Sequence, residues 1–299
     1  MTSISATATS PASSLHTRRV AIQGYAGAFH ELAARRFFTD KPLTVVPAHT
    51  FQDVVEAVES GETADAGLMA IENTLAGSLM ANYQLLLDSN LMITGEVFLR
   101  IEQNLLSLPG VTMADLREVH SHPVAIAQCR PFFRNYPHIQ LVETVDTALS
   151  ARQVREQGWS HVGAIASDLA ADLYGLQFLA RGIETNKQNH TRFLVLEQRH
   201  WDKIRPDANK ISVSFAVDHT VGSLYKVLAV LAAYNVNLSK IQSAPIIGHP
   251  WEYRFFVDFE VHGDLSWSQA VEAIRPITRD LKVLGAYRAG EKDQSLPSR

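Results

Sequence analysis

Apolar and polar positions come in alternating blocks along the first two thirds of the chain. Val20-Ala21-Ile22, within 19–23, is a short apolar run stopped by Gly24 and predicts a buried strand. Helices are expected over 29–38 and 51–59, a strand over 43–46, and a third buried strand over 66–71 that runs through Glu72-Asn73-Thr74 into a helix ending at Leu87. The rhythm then repeats: strands over 118–120, 139–142, 161–165 and 191–196, with helices over 123–133, 147–157 and 167–174. Strand following helix in this way predicts an α/β domain with a mainly parallel sheet. Two lobes are expected, about 18–96 with 190–201 and about 97–189. Extended connections near 95–106 would join them, with a cleft between as the place for a small ligand.

Beyond the polar linker Asp202 to Asn209 the period changes. Ile211, Val213, Phe215 and Val217 alternate with small residues, and Tyr253, Phe255, Val257, Phe259 and Val261 alternate with Arg254, Phe256, Asp258 and Glu260. With helices over 224–234 and 268–279 and strands after Leu238 and over 281–284, the order is βαββαβ. That is the ferredoxin-like order, expected over 208–288. Residues 1–17 and 289–299 read as tails.

At 299 residues the chain has length for about two domains. The net charge of −4 lies wholly in residues 1–206, because 207–299 holds 10 basic and 10 acidic side chains. Such a balance offers no footprint for nucleic acid or an anionic membrane, and no apolar run reaches the ~18 residues a span requires. One cysteine, Cys129, excludes an internal disulfide framework and fits a reducing, cytoplasmic setting.

Nucleotide-loop, zinc-protease and serine-elbow motifs are missing. His120-x-His122 has no further ligand at metal spacing, so no metal is expected and these histidines read as solvated or capping. Four junctions at strand ends remain. Gly24 to Ala28 could turn free backbone N–H groups toward an anion. Glu72-Asn73-Thr74 reads either as a cap and turn or as a polar site. Ser121 could cap the helix after Pro123 and share a face with Gln128, two turns on. Thr191-Arg192 reads either as a loop ion pair or as a hydroxyl and a cation that meet a carboxylate.

Taken in order, these runs resemble prephenate dehydratase: Ala70-Ile71-Glu72-Asn73-Thr74-Leu75-Ala76-Gly77-Ser78, Ser121-His122-Pro123 with Ala127-Gln128-Cys129, Ala170-Ala171-Asp172-Leu173-Tyr174-Gly175-Leu176, and Asn189-x-Thr191-Arg192-Phe193. Pro250 to Asp258 and Leu284-Gly285-Ala286-Tyr287 are similar to an ACT domain, the small-ligand sensor that accompanies this enzyme. The resemblance covers about 18–288. It implies a two-lobed, type 2 periplasmic-binding-protein-like fold, a homodimer or homotetramer, and cofactor-free conversion of prephenate to phenylpyruvate in phenylalanine biosynthesis. It also implies catalytic roles for Thr191, Glu72, Asn73, Ser121 and Gln128. Arg192 would pair a substrate carboxylate, and Phe193, Gly27, Ala28, Thr74, Gly77 and Ser78 would line the substrate. L-Phenylalanine would bind near Gly222, Ser223, Leu224, Gln242, Ser243 and Pro245. Three stretches depart from the pattern. Gly27-Ala28-Phe29-His30 replaces Gly-Thr-Phe-Ser, Gly222-Ser223-Leu224 replaces Gly-Ala-Leu, and Gln242-Ser243-Ala244-Pro245 replaces Glu-Ser-Arg-Pro. The alternatives are arogenate dehydratase and a non-catalytic amino-acid-binding sensor.

Overall fold

A computed structural model describes residues 17–40, 42–263 and 265–291. Residues 1–16 and 292–299 of the expected tails lie outside the described residues. The first lobe runs β1 (Arg18–Gln23), α1 (Phe29–Phe37), β2 (Leu43–Ala48), α2 (Phe51–Ser60), β3 (Ala66–Asn73), β4 (Gly77–Ser78), α3 (Met80–Asp88) and β5 (Leu91–Arg100). The second runs β6 (Asn104–Ser107), β7 (Glu118–Ser121), α4 (Pro123–Phe133), β8 (Gln140–Glu143), α5 (Thr147–Gln157), β9 (Val162–Ala166), α6 (Asp168–Tyr174) and β10 (Gln177–Ala180). The chain then returns to the first lobe as β11 (His190–Gln198).

The expected parallel sheet is in fact mixed. β2, β1 and β3 are parallel, but β11 lies antiparallel between β3 and β5. In the second lobe β8, β7 and β9 are parallel, β6 runs against them, and β10 pairs antiparallel with β6. Residues 91–100, part of which was expected as an open connection, form β5, a strand of the first sheet with its first three residues buried. Gly95 and the buried Glu96 interrupt its apolar pattern and disguise it in the sequence.

The last third is β12 (Lys210–Ala216), α7 (Ser223–Ala233), β13 (Asn237–Pro245), β14 (Tyr253–Glu260), α8 (Trp267–Ile274) and β15 (Arg279–Tyr287). Its sheet order β13-β14-β12-β15 is the ferredoxin-like one. This module does not stand apart. β15 touches β5 at Gly285–Ile93, where any Cβ on Gly285 would collide with the Ile93 carbonyl. Phe256, Leu284 and Tyr287 of the module bury themselves in one core with Ile71, Tyr83, Leu86, Ile93 and Leu194. The opposite face of the first sheet packs Ile22, Leu68, Ala70, Phe193 and Val195 against Ala33 and Ala34 of α1. The first sheet of this lobe therefore has one face toward α1 and the other toward α2, α3 and the module. Among the described residues no helix is long and apolar enough to cross a membrane.

Candidate active site

β3 and β11 present their ends side by side, with Thr191 opposite Asn73 and Arg192 opposite Glu72. The next pair is Phe193 with Ala70, so Ile71 is the extra residue of a bulge. Successive strand residues point to opposite faces, so Thr191 and Asn73 share one face while Arg192 and Glu72 share the other.

On the first face the side chains form a continuous polar chain. Asn73 Nδ2 donates to Asn189 Oδ1 (2.8 Å), to the His190 carbonyl (3.2 Å) and to Thr191 Oγ1 (2.9 Å). Asn189 Nδ2 donates to Gln128 Oε1 at 3.0 Å, and Gln103 Nε2 reaches the same oxygen at 3.4 Å. Gln128 comes from α4 of the second lobe, so the chain spans the junction between the lobes. Asn73 Oδ1 accepts from Leu75 N and Ala76 N, an Asx turn that locks its amide orientation. Thr191 is 8% exposed and Asn189 is fully buried. The connector beside them is pinned by the buried Glu184 carboxylate, which accepts from Gln103 N at 2.9 Å.

Several expected site residues lie elsewhere. Arg192 is buried on the module face: Nε donates to Glu96 (2.7 Å), Nη1 to Asp258 (2.5 Å) and Nη2 to the Tyr287 hydroxyl (3.1 Å). Burial opposes its charge, but Asp258, Tyr287 and Glu96 outweigh that and hold its pKa well above the ordinary value. It is therefore not the carboxylate holder expected in the cleft. Glu72 likewise faces the module, where Lys240 Nζ reaches it at 2.8 Å and reaches Ser78 Oγ at 2.9 Å. Ser121 is buried and donates to the Ile165 carbonyl (2.7 Å), while His122 caps α4 in its place by accepting from Val124 N.

The Gly27 amide, expected to face an anion, is taken by Glu31 at 2.7 Å, and that of Ala28 by Tyr25 O. This loop instead latches the lobes together: Ser167 Oγ donates to Gly27 O and Tyr174 Oη to Ala26 O, both at 2.6 Å. Thr74 Oγ1 donates to Gln188 O and accepts from His190 N, and Gly77 pairs with Asn73 across β3 and β4. Phe193 is buried beneath His30, ring centroids 4.9 Å apart. Burial lowers the His30 pKa to about 4, so it is neutral at pH 7. In the module, Gly222 precedes α7 with φ +81, Ser223 bonds Thr220, and Leu224 packs toward the module core. Gln242 meets Ser78 at 3.4 Å, while Ser243 and Pro245 lie exposed along β13.

Asn189, quoted in the sequence without a role, and Gln103, absent from that reading, are both members of the polar chain. Asn189 stood two residues before Thr191, a spacing that already puts both on one face; Gln103 sits in an irregular connector with no period to read. A concavity of about 790 Å³ lies elsewhere, lined by Arg18, Phe38, Glu197 and Lys203 among others. Among the described residues no group of three or more His, Cys, Asp or Glu could hold a metal.

The prephenate dehydratase family model matches residues 20–200. The chain belongs to the prephenate dehydratase family. Arogenate dehydratase/prephenate dehydratase 2 of Arabidopsis thaliana is 38% identical over 90% of this chain and 72% of its own length. Among solved structures, the prephenate dehydratase of Arthrobacter aurescens in complex with L-Phe has a TM-score of 0.77 and 29% identity, covering 90% of this chain and 89% of its own. A structure described as GqqA, a novel type of quorum quenching acylase, has a TM-score of 0.81 and 35% identity, covering 91% and 98%. As a prephenate dehydratase the protein is a lyase that turns prephenate into phenylpyruvate, and the polar chain lies within the region the family model spans.

Proposed function

We propose that prephenate reacts on the face carrying Thr191 and Asn73. In the reaction the C1–carboxylate bond breaks, its electron pair moves through the ring, and the C4–oxygen bond breaks. The departing hydroxide takes up a proton from solvent, and the products are phenylpyruvate, carbon dioxide and water. Aromatisation supplies the driving force, so the protein's share is to orient the ring and to assist the departing oxygen.

The observation that carries this reading is the state of the Thr191 hydroxyl. Its oxygen accepts from Asn73, and its own hydrogen has no acceptor among the described residues. A hydroxyl polarised in this way is a stronger donor toward the oxygen that leaves as hydroxide. Gln128 and Asn189 offer neutral amides for orienting the substrate's polar groups, in place of the Arg192 cation. Glu72 and Ser121 take no direct part; they hold the strands on which the polar chain stands.

The experiment is to incubate the purified protein separately with prephenate and with arogenate, following phenylpyruvate and phenylalanine. Phenylpyruvate from prephenate is the expected result. A preference for arogenate would reverse the substrate assignment. Amino-acid binding without turnover of either would make the chain a sensor, and release of a carboxylic acid from an N-acyl substrate instead would make it an acylase.

L-Phenylalanine at the C-terminal module is part of the same proposal, supported by the L-Phe complex of the Arthrobacter relative. A homodimer or homotetramer is proposed through the open edge of β13, beside which Ile241, Ile247 and Trp251 are exposed. Light scattering of the purified chain checks the mass, and calorimetry with L-phenylalanine checks the ligand.

A further inference from the structure

We infer that the C-terminal module supplies positioning residues for the reaction, holding the catalytic pair from behind through Lys240 and Asp258. This rests on the roles given above to Thr191 and Asn73. Asn73 sits on a two-stranded hairpin in which Glu72 pairs with Ser78 and Asn73 with Gly77. One ammonium, Lys240 of β13, bonds both flanks of that hairpin: Glu72 Oε2 at 2.8 Å and Ser78 Oγ at 2.9 Å. Its side chain is 8% exposed and lies over the Tyr83 ring, 5.4 Å from the centroid. The next inward residue of β13, Gln242, accepts from the same Ser78. Thr191 is secured in parallel fashion. Its neighbour Arg192 is anchored by Asp258 of β14 and Tyr287 of β15, and Glu96, which shares Arg192, is itself held by Lys210 of β12 at 2.8 Å.

Each of the two strands bearing the reacting groups is thus tied to the module one residue away from that group, on the opposite face. The 2.9 Å bond from Asn73 to Thr191 depends on where both ties set the strand ends. A strand end carries its front and back side chains as one body, so releasing a tie displaces the group in front of it. A displacement of about 1 Å of a catalytic group can cost on the order of 100-fold in rate.

The test measures kcat, KM and thermal midpoint for prephenate turnover by Lys240→Met, Lys240→Arg and Asp258→Asn, with Arg275→Gln on the exposed face of the module as control and Thr191→Val as reference. The expected result is a kcat lowered about 10- to 100-fold in Lys240→Met and in Asp258→Asn, with KM within about threefold. Lys240→Arg should recover most of the rate, because it restores a cation to both Glu72 and Ser78. A merely structural role would lower the thermal midpoint and leave kcat per folded molecule at the level of Arg275→Gln; that outcome overturns the inference. Arg no better than Met at position 240 would overturn it as well. Retained activity in Thr191→Val would instead overturn the proposed reaction site, so the two failures are distinguishable.

Discussion

Replacing Thr191 by valine removes a hydroxyl and keeps the shape, and the surrounding bonds let its effects on rate and stability be separated. Asn73 Nδ2 carries two hydrogens and has three acceptors: Asn189 Oδ1, His190 O and Thr191 Oγ1. Removing one leaves two acceptors for two hydrogens, so no buried donor is orphaned. The stability cost is then that of one net hydrogen bond, under about 1 kcal/mol, instead of the larger penalty for an unsatisfied group. A loss of that size shifts the thermal midpoint of a protein this large by roughly 2 °C or less. The rate has no such alternative partner. Loss of one preorganised donor to a charge-developing oxygen typically costs about 100- to 1000-fold in kcat, or roughly 2.7–4 kcal/mol. Steady-state formation of phenylpyruvate, with calorimetric or fluorescence melting on the same samples, reads both quantities, and Thr191→Ser should keep much of the rate. Valine turnover within threefold of the native chain would refute the argument, and so would a large fall in midpoint that accounts for the lost activity.

Three further outcomes follow from the same structure. Gly27 has φ +88 and an added Cβ would stand 3.0 Å from the Ala170 backbone in the other lobe, so Gly27→Ala should cost about 1–3 kcal/mol in denaturant unfolding and weaken the latch between lobes. Burial lowers the folded pKa of His30 from 6.5 to about 4, so the unfolded chain binds its proton first; stability should fall as pH drops from about 6.5 to 4, by at most about 1.4 kcal/mol per unit, and His30→Phe should flatten that slope. Burial, with Glu184 adding to it, pushes the Cys129 thiol up to about 12, so a thiol reagent at pH 8 should label it only when the protein is unfolded; labelling of the folded chain at the rate of a free thiol would contradict that burial.

The order of strands and helices was legible in the sequence because buried strands such as 66–71 and 161–165 are nearly continuous apolar runs, and because capping residues such as Thr50 and Ser167 sit where helices begin. The change at about residue 208 from apolar blocks to strict alternation likewise announced a module of another architecture. The run containing Asn189, Thr191 and Arg192 pointed to the strand end where the polar chain assembles. β5 was obscured because Thr94-Gly95-Glu96 interrupts its apolar positions, and the reason for that Glu96, the buried cations Arg192 and Lys210, comes from strands far away in the chain.

Which of two adjacent residues faces the polar chain was decided only by the tertiary structure. Asn73 and Glu72, like Thr191 and Arg192, are neighbours in sequence and on opposite sides of a sheet. The sequence shows that each pair exists but not which member the cleft receives, because a single bulged residue, Ile71, resets the parity of β3 against β11. What occupies the far face was equally beyond local pattern. A cation beside a hydroxyl reads as a ligand for a carboxylate until the fold brings Asp258 within 2.5 Å of it, and the energy of a buried charge depends on partners that only folding can assemble.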